Sequence, residues 1–315
     1  MADWATYVVV PEDGGTDGHE VYEARFGAVG LDLDLLAGPD VVVPLLRSRS
    51  RVEGRWRDDG MCEAGALIDL RSRTLLFFAL EGPVTQMRHR VATWELLRRA
   101  WPGWELRWSY DGSAELAARL GLDPEGVREP HRTIYPESAL DLDDEELADP
   151  DPLVRVVTIG GPDTARCHVL SGVNDHPIAE GPALVDRLAD APDHGVYALA
   201  ADSGIHVDPA RRRVGWWLLD AVAGAPDMAA RWPGWTVEFW QDHWEEHVRL
   251  AGGRFVPPAV VPEQARAEVR SEALEHWSPR PPSPSDWVGW MQAASPESVR
   301  DSVTATLGGD ERPGR

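Results

Sequence analysis

Lysine is absent from the 315-residue chain, so all 31 basic residues are arginines. That excludes a Walker A lysine, a kinase ATP lysine and a pyridoxal-phosphate Schiff base. Cysteine is nearly absent: Cys62 and Cys167 supply neither a disulfide framework nor a cysteine-rich zinc site. No stretch approaches 18 consecutive apolar residues, and Met1-Ala-Asp-Trp lacks the basic and apolar regions of a signal peptide. These absences predict a soluble cytoplasmic protein with no membrane association. Positive charge is in deficit as well, with 31 basic against 53 acidic residues and a net charge of −22. Such a balance argues against nucleic acid and favours a basic partner. Against these shortages stand 43% hydrophobic residues, enough for a sizeable core, and 15 tryptophans.

The chain repeats itself. Gly65-Ala-Leu-Ile-Asp69, Arg73 and Leu75–Phe78 match Gly204-Ile-His-Val-Asp208, Arg212 and Val214–Trp217 position for position. Trp101-Pro-Gly-Trp104 recurs as Trp232-Pro-Gly-Trp235, followed in register by Asp111, Glu115 and Gly121 against Asp242, Glu246 and Gly252. Upstream, Gly38-Pro39 matches Gly181-Pro182. Four matches in order define a duplication. The first repeat is expected over 1–122 and the second over 153–253. Between them, 123–152 is rich in acids and proline, a linker composition, and 254–315 is a Pro-rich tail with helices near 262–277 and 296–307.

The expected fold class is α+β: two duplicated modules, each a small antiparallel sheet with helices on one face, plus the mostly helical tail. In each module a hairpin is followed by a helix and by a strand launched from the Trp-Pro-Gly-Trp turn, where Pro102 stops the helix and Gly103 supplies the positive φ of a type II turn. Met87, Val91, Trp94, Leu97 and Trp101 predict the inward stripe of that helix in the first repeat, with Arg90 off it. Asp111 and Asp242 are read as N-caps of the helix that follows. Copy two is eight residues shorter between hairpin and turn, since the offset falls from 139 at Gly65/Gly204 to 131 at Trp101/Trp232.

His243-Trp-Glu-Glu-His247 has the H-x-x-E-H spacing that sets two imidazoles on one helix face, with Glu246 beside them, and resembles inverted-motif zinc peptidases over five residues. Copy one has Gly112 and Leu116 at the two histidine positions, so the repeat does not require a metal, and surface histidines on a capped helix are the favoured reading. Asp32-Leu-Asp34 lacks the residues that would complete a phosphatase site and is read as a half-buried strand or loop. Gly14-Gly15 and Gly160-Gly161 lack dinucleotide spacing, no G-x-S-x-G occurs, and no cofactor is expected. Among the tryptophans, Trp216, Trp240 and Trp244, with Glu238, are the candidate binding residues. Trp240 lies on the strand face opposite Trp235, Val237 and Phe239.

The repeated hairpin, apolar strand, helix, Trp-Pro-Gly-Trp turn and following helix resemble uncharacterised bacterial immunity proteins that accompany polymorphic toxins. The resemblance covers both repeats and implies a non-enzymatic acidic binder that occupies a basic partner such as a toxin. The alternative is an enzyme or small-molecule binder that uses a cleft between the repeats, with a zinc hydrolase at His243, Glu246 and His247 as one form of it.

Overall fold

The hairpins expected from the Gly-x-x-x-Asp strings organise both halves of the protein. The computed structural model describes residues 3–13, 18–48, 51–52, 56–129, 133–136, 153–161, 164–172, 175–277 and 297–307. Most of the expected linker, and residues 278–296 and 308–315 of the Pro-rich tail, lie outside the described residues. The chain divides into two units: residues 1–85, 89–129 and 261–315 form one, and residues 86–88 and 130–260 the other.

In the first unit the elements are β1 (Trp4–Val10), β2 (Glu20–Ala24), α1 (Leu31–Leu35), α2 (Pro39–Arg47), β3 (Cys62–Asp69), β4 (Thr74–Ala79), α3 (Arg90–Ala100), β5 (Glu105–Trp108) and α4 (Ser113–Arg119). They build a five-stranded sheet of order β2-β1-β3-β4-β5. The hairpin β3–β4 is antiparallel, with Asp69 opposite Thr74, and β1–β2 is antiparallel as well. The second unit repeats the plan with β6 (Val154–Ile159), β7 (Arg166–Ser171), α5 (Ala183–Leu188), β8 (Ser203–Asp208), β9 (Arg213–Leu218), β10 (Thr236–Phe239) and α6 (Trp244–Leu250), in sheet order β7-β6-β8-β9-β10. Two helices of the tail, α7 (Pro262–His276) and α8 (Glu297–Leu307), belong to the first unit.

The sheets are mixed: β1 runs parallel to β3 and β4 to β5, as do their counterparts in the second unit. Helices also cover both faces, where the sequence suggested one. Phe77 meets Trp94 of α3, whereas its neighbour Phe78 and the facing Gly65 lie against Leu116 of α4. Adjacent strand residues point to opposite faces, so α3 and α4 sit on opposite sides of the sheet. All six residues of β4 are buried, which a strand covered on both faces requires.

Equivalent atoms do equivalent work in the two units. Arg73 and Arg212 both adopt positive φ, 51° and 48°, at the hairpin turns, and Gly103 and Gly234 share φ 79°. Trp101 donates its indole N–H to the Leu35 carbonyl at 2.7 Å, as Trp232 does to Ile178 at 2.9 Å. Each carbonyl lies three residues before the Gly-Pro that opens the next helix. The shorter connection of copy two leaves a 3-10 turn, Ala225–Arg231, where copy one has the eleven-residue α3.

Several local expectations are corrected. Arg90 faces inward and Val91 is 54% exposed. The Arg90 guanidinium donates to the Val84 carbonyl at 2.8 Å and lies 4.4 Å from the Trp108 ring centre, so a charged residue takes an inner position by finding an acceptor and an aromatic face. Asp111 is not a cap: α4 begins after Gly112 at φ 56°, and Asp111 accepts from Arg128 at 2.7 Å. Arg128 also faces Asp59, and this pairing ties residues 123–129, read as linker, to the first unit. Likewise α6 begins after His243, not Asp242. Asp32 and Asp34 lie in the short helix α1, where the buried Asp32 carboxylate accepts the amide protons of Leu33 and Val84. Burial raises its pKa to about 7.

Candidate functional site

On the α6 side of the second sheet, four polar side chains form one buried chain of hydrogen bonds. Trp217 donates its indole N–H to Nδ1 of His247 at 3.1 Å. His247 Nε2 and Thr158 Oγ1 are 2.8 Å apart, and the same hydroxyl lies 2.9 Å from Nδ1 of His206. Because an indole only donates, His247 Nδ1 must accept, which leaves its proton on Nε2 to be given to Thr158. The threonine hydroxyl keeps its own proton, which completes the chain when it is given to Nδ1 of His206. That arrangement gives every bond one donor, fixes His247 as neutral, and agrees with the lowered pKa of His206. Burial lowers the pKa of His247 to about 3, with His206 adding a smaller push, and burial lowers that of His206 to about 4 against the pull of Asp208.

The strands make room for this chain. Gly204 sits opposite Trp217, and a Cβ there would lie 2.6 Å from both the His247 Nδ1 and the Trp217 indole nitrogen. Carried across the duplication, Thr158, His206, Trp217 and His247 correspond to Val8, Leu67, Phe78 and Leu116. All four first-unit residues are buried and apolar. The repeat fold does not need polarity here, so the chain belongs to the second copy alone.

These contacts correct the reading of His247 as a surface histidine. It is fully buried, both of its ring nitrogens are engaged inside the sheet, and His243 is exposed at the start of α6. Glu246 is turned to Arg249 at 2.7 Å. The H-x-x-E-H string thus does not bring its three side chains together around one ion. No group of three metal-binding side chains occurs among the described residues.

The candidate binding residues separate into two environments. Trp216 points to the other face of the sheet, 1% exposed, stacked on Phe239 with centroids 4.3 Å apart and near His176. Trp240 and Trp244 are half-buried on the α6 side against a core that includes Trp217 and Phe255. The Trp240 indole lies directly over Gly215 of the neighbouring strand, where any side chain would collide with it. Glu238 anchors that indole: one carboxylate oxygen takes the Arg213 guanidinium and the other accepts the Trp240 N–H at 3.3 Å. Hydrogen bonding from Arg213 holds the Glu238 carboxyl below its ordinary range.

Beside Trp240 opens a groove of about 520 Å³ lined by Phe239, Trp240, Gln241, His243, Glu245 and Glu246. Gln241, at φ 57°, turns the chain there from β10 into α6 and gives its carbonyl to the Leu218 amide. Glu245 is exposed and makes no ion pair among the described residues. An aromatic wall beside unneutralised carboxylate suits a cationic side chain. Sequence reasoning selected Trp240 but missed Glu245, Thr158 and His206. For the last two the signal was available, in the polar residues that copy two places where copy one is apolar.

No protein-family model, curated protein or solved structure shows significant similarity to the chain.

Proposed function

We propose that the protein is a non-enzymatic acidic binding module of bacterial cytosol that occupies a basic partner protein, as an immunity protein occupies its toxin. The observation that carries this reading is the groove of the second unit, where Trp240 and the carboxylates of Glu245 and Glu246 face solvent together. An arginine or lysine of the partner enters it, its charge against Glu245 and its stem against the indole. The surrounding charge of −22 steers a basic surface toward the groove. The polar chain beneath α6 holds the helix that carries the two carboxylates.

The reading is tested by capture from the native cell with wild type and with Glu245→Arg and Trp240→Ala chains. The expected result is one basic protein that binds wild type stoichiometrically, is lost from both variants, and dissociates as salt is raised, because exposed charge pairs are screened beyond about 8 Å at physiological ionic strength. Binding that survives both substitutions, or that is indifferent to salt, removes this groove from the account.

A further inference from the structure

A second cavity lies in the first unit, and the second unit carries different side chains at the equivalent positions. The cavity measures about 620 Å³ and lies where the Gly38-Pro39 start of α2 meets the Trp101–Trp104 turn. That volume is within the range of small-molecule sites, about 300–1,000 Å³. The turn and helix start are joined in both units by the indole-to-carbonyl bonds of Trp101 and Trp232. The side chains between them differ. Counted from Gly38 and Gly181, Ala37 and Pro44 in the first unit correspond to Glu180 and Arg187 in the second.

Glu180 and Arg187 join through two 2.6 Å bonds, one from Nε and one from Nη2, and the Glu180 side chain is 8% exposed. The second unit thus covers this ground with an ion pair of its own. In the first unit Ala37 and Pro44 line the cavity and reach nowhere near as far. Charged residues of both signs line it: Arg73 and Arg99 on one hand, Asp40 and Glu12 on the other. Arg73 makes no ion pair among the described residues and is set in place by the left-handed hairpin turn. Trp104 and Pro44 supply the apolar surface.

We propose that this cavity binds a small zwitterion with an apolar side chain, of the α-amino acid class. Its carboxylate pairs with Arg73, its ammonium group with the carboxylates of Asp40 and Glu12, and its side chain lies on Trp104 and Pro44. The ligand presents to the first unit the same joined pair of opposite charges that Glu180 and Arg187 present to the second. The site is independent of the groove at Trp240.

Calorimetric titration of the full chain with L-phenylalanine, L-leucine and L-methionine tests this, with phenylacetate and phenethylamine as single-charge controls. At least one amino acid is expected to bind with 1:1 stoichiometry, and each control about tenfold more weakly or worse. Arg73→Ala, which keeps the same backbone demand, is expected to weaken binding by about tenfold. The double change Ala37→Glu with Pro44→Arg installs the second unit's ion pair and is expected to abolish binding while the unfolding temperature stays the same or rises. Absence of saturable binding by all three amino acids overturns the proposal. So does phenylacetate binding as tightly as the zwitterions, or binding that Arg73→Ala leaves unchanged, a result that stands even if the double variant fails to fold.

Discussion

Acidification from pH 7 to 5 is expected to cost the second unit about 4 kcal/mol through His206 and His247 alone. Unfolded, both imidazoles titrate at 6.5; folded, they stay neutral down to about 4 and about 3. Between those values the unfolded chain binds more protons than the folded one, so the stabilisation is complete above 6.5 and is lost as pH falls below it. Over the interval to pH 5 each histidine loses about 2 kcal/mol, since one pKa unit corresponds to about 1.4 kcal/mol. The informative perturbation replaces the whole chain with the first unit's residues: Thr158→Val, His206→Leu, Trp217→Phe and His247→Leu. Removing all four polar partners together strands no donor or acceptor, so at pH 7 the variant should fold. Burial also lowers the pKa values of His168 and His176, but both proteins retain them, and the difference between the two pH profiles isolates the chain. Urea-dependent amide exchange on β8 and β9 reads the stability of that unit. A variant that loses stability with pH as steeply as wild type would refute the reasoning, as would imidazole resonances of His206 and His247 that titrate near 6.5.

Other outcomes follow from single contacts. Gly204→Ala should destabilise the second unit by about 1–3 kcal/mol, because its Cβ collides with His247 and Trp217, and urea denaturation will measure it. Trp101→Phe and Trp232→Phe should each cost about 1–3 kcal/mol by leaving a buried carbonyl without its donor. Similar losses from the two are expected if the repeats are equivalent, and a loss at one alone would contradict that equivalence. Arg128→Ala should destabilise the first unit at neutral pH, since it leaves Asp111 and Asp59 facing one another without their cation. Lowering the pH toward the carboxylate range should shrink that loss, and a penalty that does not change with pH would refute the charge argument.

The duplication was legible because it rests on strings such as Trp-Pro-Gly-Trp whose spacing survives in both copies, and the hairpins followed from their alternation and turn residues. The parallel pairing of β1 with β3 was not legible, because it joins segments about fifty residues apart with no local signature. Arg90 was placed outside because hydrophobic periodicity cannot register a guanidinium that finds a carbonyl and an indole within the fold. Asp111 and Asp242 precede helices in the way caps do, and only tertiary contact shows Asp111 committed to Arg128 instead. His247 shows how a motif misleads: spacing i, i+4 places two side chains on one side of an ideal helix, but His243 lies before the first turn of α6.

The first unit is discontinuous in sequence, and that sets an order of events at the ribosome. Its last two helices, α7 and α8, are encoded after the entire second unit. Until α7 is made, the first unit lacks the buried residues Ala265, Val269 and Ala273 and the bonds from His276 to Asp34 and from His89 to Glu268. The second unit has all its elements once residue 260 has been added. Domains generally fold in the order in which they are synthesised. Here the half that emerges first must wait as an incomplete intermediate while the later half finishes, and a stalled or truncated translation product would carry a mature second repeat behind an unfinished first.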